Sequence, residues 1–413
     1  TRAEVGELVN LSRNLGIEFI PLVQTMGHVE YLSRLPGTSA LAENPKYPNQ
    51  LCPSKPAVRN YLARLIDLVA ELHPHSKFIH IGMDETQQLG RCPVCKRRMK
   101  ALGGKMELYV DHARWICGEV VRHGRVPMIW GDMFLGNGRE DLITKLGPEA
   151  MILPWDYGCV TERVPCVLYK GSRPCKSVFR HDYTCESLGS PLPPFPAEKG
   201  FADDLSKNEL ARIGGLAPST GLALGFVQGR LLAQLRSKIQ NPKSLPADRQ
   251  AGKIQKFKIW GACAVEMSGS GPIRPNFARG LHNCNQMVRI LLKIGGEGAI
   301  ATTWARGHSY APINSPWTLS LYGVAQFAAS AWTGKTGPAD LRKRAGAVAA
   351  ELGIPERMGD WTLDDLLWTL SKPSTLGPSG KVATLKRALE LLRQSKAKGV
   401  FAEALVLFIE IEI

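Results

Sequence analysis

The chain reads as a parallel α/β protein, an open sheet or a (β/α)8 barrel, with a mainly helical region after it. Three observations predict this. Helical and strand-like patterns alternate over the first 160 residues and again over 257–304, which is the rhythm of βαβ units. The short apolar runs end in polar and aromatic residues, QTMGH, GMDE, WGD, WDY, ACAVE and WARGH, where a parallel barrel carries its chemistry. Beyond Trp304 the strand pattern stops and helical spacing takes over.

Each element has its own signal. Thr1 and Glu4 have the spacing of a capping box, so a helix over 2–15 opens the chain as if in mid-domain. A targeting segment of the whole protein would then lie outside this sequence. A strand over 17–23 follows. After Ser54, Val58, Leu62, Leu65, Val69 and Leu72 recur at helical spacing and lead into an apolar strand over 77–82. A helix near 106–123 ends at Gly124, a C′ position, before a strand over 126–130. Further strands are expected over 150–155, 257–263 and 298–304, six in all and two short of a closed eight-stranded barrel. Residues 161–256 break the rhythm, with Pro191, Pro193, Pro194 and Pro196 and no sustained period. A segment of that length is functional, disordered or misassigned sequence. Helices are expected near 316–332, 338–352, 361–371 and 380–409. The division is a catalytic region over 1–335, with 161–256 as an irregular insertion, and a helical region over 336–413.

Composition narrows the function. Of the 413 residues, 44% are hydrophobic and 22% charged, an ordinary globular balance. No apolar run approaches the ~18 residues of a membrane span. The net charge of +15 raises nucleic acid as a partner, but 161–258 alone holds 16 Lys/Arg against 8 Asp/Glu. Elsewhere the basic residues are scattered without aromatic interleaving, so no nucleic-acid partner is expected. Ten cysteines show no disulfide framework, which favours a reducing compartment. Cys92 and Cys95 form a CxxC that is either half a zinc site or an inert loop pair. No second ligand pair stands at metal spacing, so the inert reading is preferred and no metal or cofactor is expected. The pairs Gly103-Gly104 and Gly295-Gly296 read as turns.

The sharpest local feature is HIGMDET, residues 80–86, which sets Asp84 and Glu85 just after the 77–82 strand. Two carboxylates at a strand end suit acid/base work, because their surroundings can keep one protonated and the other charged. Most Asp-Glu dipeptides are solvated loop charges, and position is what separates this one.

PLVQTMGH (21–28), HIGMDET (80–86), PMIWGDM (127–133), PWDYG (154–158) and ATTWARGHSYAPINSPW (301–317) together resemble the family 20 glycoside hydrolases, the β-N-acetylhexosaminidases, and most closely their hexosaminidase D-like branch. The resemblance covers 1–160 and 257–335. It implies a (β/α)8 barrel whose first two strands precede the helix that opens this chain, so the chain reads as a fragment. It also implies exo-hydrolysis of terminal N-acetylhexosamine by the substrate-assisted retaining route, an exception to the scheme with two enzymic carboxylates. Glu85 would protonate the glycosidic oxygen and later activate water. Asp84 would orient the substrate acetamido group, whose oxygen is the nucleophile. Both side chains converge only if the backbone leaves regular pleating near Met83.

Trp130, Trp155 and Trp304 end strands and either wall a sugar pocket or plug the sheet. Tyr157 is the candidate donor to the acetamido oxygen. Asp132 and Asp156 either bind sugar hydroxyls, support other groups or cap helices. His28 and His80 are expected to orient the carboxylates, and Arg306 and His308 to reach the substrate rim or lie at the surface. The partner is then a carbohydrate, in the cytoplasm and away from membranes. A catalytically dead carbohydrate-binding remnant and a basic nucleic-acid-associated protein are the rival readings.

Overall fold

The computed structural model describes residues 1–157 except 36 and 148, 258–266, 277–304, 317–371 and 378–413, with short stretches of backbone between 158 and 257. The described residues form an α/β structure with a helical C-terminal region and fall into two compact units. The first runs over Thr1–Pro154; the second takes in Trp155–Tyr157 and the described residues from Trp260 to Ile413.

The first unit opens with α1 (Arg2–Asn14), whose capping box forms as its spacing predicts, with Glu4 N–H donating to Thr1 Oγ1. The strand expected over 17–23 is reduced to a single parallel bridge, Leu22 to His80. Pro21 explains part of this. Its carbonyl accepts the His80 N–H, but it has no N–H to return. Next come α2 (Pro56–Leu72), β1 (Phe78–His80), α3 (Pro93–Leu102), α4 (Lys105–Arg122), β2 (Val126–Trp130), the single turn α5 (Asp132–Leu135) and β3 (Met151–Leu153). The three strands pair in parallel in the order β1-β2-β3, with Phe78 opposite Val126 and Met128 opposite Met151.

Parallel strands need both faces covered. One apolar face of α2 (Val58, Leu62, Ile66, Val69) and one of α4 (Leu108, Tyr109, Ile116, Val120) are buried with Ile79, Ile129 and Ile152. Gly124, at φ +69°, stops α4 and lets the chain turn directly into β2. The sheet's C-terminal edge thus presents residues 81–85 and 131–132 on adjacent strands.

Between 158 and 257, where the sequence shows no period, the described backbone includes β4 (Arg163–Leu168), β5 (Phe179–His181) and β6 (Leu222–Leu224), paired antiparallel in the order β5-β4-β6. In the second unit, β7 (Trp260–Glu266) pairs in parallel with β8 (Gly298–Thr303), the two being joined by α6 (Phe277–Lys293). Then follow α7 (Leu321–Thr333), α8 (Pro338–Glu351), α9 (Leu363–Ser371), α10 (Pro378–Gln394) and α11 (Val400–Glu412). The single helix expected over 380–409 is two helices, because Lys396 (φ +59°) and Gly399 (φ +93°) reverse the chain. The reversal lets Leu389 and Leu392 share one core with Phe401, Leu405 and Ile409. No helix among the described residues is long and apolar enough to cross a membrane.

Candidate active site

β1 stops at His80, two residues short of the strand expected over 77–82, and the reason lies in its backbone. Gly82 (φ +65°), Met83 (φ +74°) and Glu85 (φ +49°) all take left-handed conformations. In a pleated strand Asp84 and Glu85 would point to opposite faces. The left-handed run removes that alternation, so both carboxylates reach one imidazole: His28 Nε2 lies 3.3 Å from Asp84 Oδ2 and 3.3 Å from Glu85 Oε2. The departure begins at Gly82, one residue before Met83.

The strained turn is held from several sides. Tyr109, buried on α4, donates its hydroxyl to the Met83 carbonyl at 2.9 Å. The Met83 N–H donates to Gln24 Oε1, and Gln24 Nε2 donates to Asp84 Oδ1, each at 3.3 Å. A Cβ at Gly82 would lie 1.9 Å from Gln24 Oε1, and one at Gly27 would lie 2.5 Å from the Asp84 carbonyl oxygen. The backbone contact demands glycine at Gly27, and the left-handed φ of +65° together with the Gln24 contact favours it at Gly82. Thr25 Oγ1 donates to the Ile81 carbonyl at 2.7 Å, which ties the QTMGH segment to the end of β1.

The two carboxylates differ in access. The Glu85 side chain is 49% exposed and that of Asp84 only 11%. Glu85 therefore faces solvent, while Asp84 is fixed by Gln24 and His28. His28 is drawn up to about 10 by its hydrogen bonds to Asp84 and then Glu85, so it is cationic at neutral pH. Asp132, at the start of α5, accepts the Glu85 N–H through Oδ2 at 3.0 Å. It does not cap the helix: Gly131 occupies the cap position and Asp132 is spent on the turn. Burial, and then the charges of Asp84 and Glu85, push the Asp132 carboxyl up to about 7 against the pull of that N–H.

His80 acts on the turn rather than on a carboxylate. Its Nδ1 accepts the Gly82 N–H at 3.0 Å, which places the proton on Nε2. Burial lowers it to about 4, so the ring is neutral. Trp130 packs against it with ring centroids 4.4 Å apart and is itself buried, backing His80 rather than offering an open face.

Trp155, Tyr157 and Trp304 belong to the second unit, where they form one aromatic cluster. Trp155 stacks on Tyr157 at 5.0 Å, and Trp304 meets Tyr157 edge-on at 6.0 Å. The Asp156 N–H donates to the Ala262 carbonyl, and the Asp156 carbonyl accepts from Asn283 Nδ2 at 2.9 Å, which pins the WDY segment beside β7. Arg306 and His308 lie outside the described residues.

Sequence reasoning missed Gln24 and Tyr109. Gln24 stands inside the QTMGH motif and was within reach of a closer reading. Tyr109 sits 26 residues from Met83 in sequence, amid ordinary helical core residues, and carries no local signal.

The chain is similar to known proteins over part of its length. The profile of the glycosyl hydrolase family 20 catalytic domain matches residues 1–172. Hexosaminidase D of Bos taurus is 30% identical over 161 residues, 38% of this chain and 46% of that protein. Hexosaminidase D of Homo sapiens is 31% identical over 160 residues, 38% of this chain and 33% of that protein. The matched stretch thus spans less than half of these relatives. Among solved structures, a β-N-acetylhexosaminidase from Bacteroides fragilis is 23% identical over 38% of this chain and 31% of its own, with a TM-score of 0.32. A chitobiase from Flavobacterium johnsoniae aligns with all of this chain and 61% of its own at 14% identity, with a TM-score of 0.49.

Proposed function

We propose, from the match of residues 1–172 to the glycosyl hydrolase family 20 catalytic domain, that the protein is an exo-acting β-N-acetylhexosaminidase working by substrate-assisted retention. One observation carries the reading: two adjacent carboxylates, one accessible and one shielded, turned to a common side by a left-handed backbone. Glu85, the accessible one, is the general acid that protonates the leaving glycosidic oxygen. Once the aglycone has gone, the same carboxylate takes a proton from water. Asp84, fixed by Gln24 and His28, accepts the acetamido N–H. It thereby aims the acetamido oxygen at the anomeric carbon and balances the positive charge of the cyclic intermediate.

The remaining residues position these two. Asp132 and Tyr109 hold the turn that aims them. His28 hydrogen-bonds both carboxylates and so fixes their positions relative to each other. In the second unit, the cluster of Trp155, Tyr157 and Trp304 offers aromatic surface of the kind on which a sugar's apolar face stacks. A (β/α)8 barrel is part of the same proposal, supported by the parallel order β1-β2-β3 and by carboxylates beyond a strand's C-terminal end. A carbohydrate partner and a cytoplasmic setting complete it.

The test is release of 4-nitrophenol from the β-glycosides of GlcNAc, GalNAc and plain glucose, with Glu85→Gln run alongside. Cleavage of the two acetamido sugars but not the glucoside, lost in the variant, is the expected result. Hydrolysis of the glucoside at a similar rate would remove the substrate-assisted step. A folded wild-type chain that cleaves none of them would be a binding remnant instead.

A further inference from the structure

Some distance from the carboxylates, the first unit gathers Glu43, Cys52, Cys92 and Cys95, with one potential ligand atom from each within 4.8 Å of all the others. Cys52 Sγ lies 3.6 Å from Cys92 Sγ and 3.5 Å from Cys95 Sγ, and Cys95 Sγ lies 3.1 Å from Glu43 Oε2. Glu43, Cys52 and Cys95 are buried. We propose that these four residues bind one zinc ion as a structural Cys3Glu site.

The spacing fits a tetrahedron. Zinc–sulfur bonds of about 2.3 Å put sulfurs on a tetrahedron about 3.8 Å apart, and a carboxylate oxygen slightly closer. A disulfide needs sulfurs at about 2.05 Å and joins them in twos. Here one sulfur stands nearly equidistant from two others, with a buried carboxylate beside them, and a pairwise bond would strand the third thiol. Three soft sulfurs select a thiophilic cation, and with one hard oxygen in tetrahedral spacing zinc is the fit.

The local structure is built to present these donors. Ala42 and Leu51 form an antiparallel bridge, flanked by Glu43 N–H to Gln50 carbonyl and Cys52 N–H to Leu41 carbonyl, both at 2.9 Å. This hairpin points Glu43 and Cys52 the same way. Cys92 is the N-cap of α3, Pro93 its first residue, and Cys95 the third residue of its first turn. Thiolates there gain from the helix N-terminus. Outer contacts favour charged sulfur too: the Cys95 N–H donates to Cys92 Sγ at 3.3 Å, and Ser54 Oγ lies 2.9 Å from Cys95 Sγ. Lys55 Nζ donates to the Ala40 and Ala42 carbonyls, and Arg98 donates to the Pro53 carbonyl and pairs with Asp111, which fixes the loops around the cluster.

The CxxC is therefore not a loop pair lacking partners. Its second half is Glu43 and Cys52, nine residues apart on a hairpin, a spacing no metal motif announces. The site would also clip together the two segments that carry the candidate chemistry. The hairpin side holds the chain next to His28 through Leu51 N–H to Met26 carbonyl and Val29 N–H to Asn49 carbonyl. It holds the chain after Glu85 through Gln88 N–H to Gln50 Oε1 at 2.9 Å.

The test is metal content of the full chain, purified without chelator and equilibrated with trace zinc. One zinc per chain by elemental mass spectrometry is expected, falling to near zero in Cys52→Ser and Cys95→Ser and staying at one in Cys117→Ser. Should the serine variants not fold, wild-type protein decides alone. An organomercurial that titrates its thiols should release the zinc, and cobalt in its place should show a tetrahedral thiolate spectrum. A folded wild-type chain without metal after equilibration, or an intact mass two hydrogens short from a bond between these cysteines, would overturn the proposal.

Discussion

Four residues other than glycine hold left-handed backbone among those described: His28, Met83, Glu85 and Lys396. Three stand at the candidate site and one in the turn between α10 and α11, and the two places treat the same strain differently. At the site each constraint has a fixed partner: Tyr109 on the Met83 carbonyl, Gln24 on the Met83 N–H, Asp132 on the Glu85 N–H. Around Lys396 the side chain is exposed and the bonds fall on its neighbours: Ser395 Oγ donates to the Leu392 carbonyl and accepts the Ala397 N–H, and the Lys398 N–H donates to the Gly353 carbonyl. Strain that the surroundings over-determine marks a place where geometry is needed. Strain at an exposed residue whose neighbours carry the bonds marks a turn position that a glycine could fill as well. Substitutions at the two places should therefore move different observables, activity at the first and stability alone at the second.

The largest effect belongs to Glu85. Glu85→Gln keeps the shape and removes the proton, so kcat/KM should fall by about 10²–10⁴, with the thermal unfolding midpoint little changed. Asp84→Asn retains an acceptor oxygen but loses the charge that balances the intermediate. Its expected loss is about 10²–10³ in kcat, the size of one misplaced electrostatic group. If both variants kept wild-type rates while the fold stayed intact, the convergence of these side chains would be a structural accident.

Tyr109→Phe probes the strain itself. Losing one buried hydroxyl bond should cost about 1–2 kcal/mol of stability. Because the Met83 carbonyl then turns freely, kcat should fall while KM holds. A loss of stability with unchanged kcat would separate the left-handed turn from the chemistry.

The charges around the turn give a pH signature with two windows. Asp132 sits at about 7 in the folded protein against an ordinary 3.8. The folded state thus binds its proton more tightly, and stability present below about 4 is lost as pH rises to 7. His28 sits at about 10 against 6.5. Its contribution is complete below 6.5 and disappears as pH climbs through 10. Asp132→Asn should flatten the lower window of a urea-midpoint profile and His28→Gln the upper one. An NMR titration of labelled His28 with a midpoint near 6.5 would remove the second window altogether.

The same contrast accounts for what the sequence revealed. Helices α1, α2 and α4 were legible because caps and apolar spacing are local, as at Thr1, Glu4 and the row Val58, Leu62, Val69. The parallel strands were legible as apolar runs, except over 17–23, where Pro21 removes a ladder donor. Asp84 and Glu85 were visible as a motif, but how they converge was not, because no pattern of residue types announces positive φ at a methionine and a glutamate. Glu43 and Cys52 were invisible for a related reason: a hairpin and a helix start bring them to Cys92 and Cys95, and that meeting is tertiary. The break at 395–399 was overlooked because the apolar spacing of α10 and α11 reads as one continuous helix.

Lys396→Gly is the smallest and cleanest test of the comparison. Relieving left-handed strain at a residue with a Cβ should gain about 1–2 kcal/mol, and a glycine's extra freedom in the unfolded chain should take back about 0.4–1 kcal/mol. The balance centres on a stabilisation of roughly 0.8 kcal/mol, read as a higher urea midpoint, with kcat and KM unchanged. The exposed lysine side chain contributes no core contact that could offset the gain, so the sign is set by the backbone alone. A destabilised variant would mean that the turn at 395–399 depends on Lys396 as the site depends on Met83, and the distinction between held and unheld strain would fail.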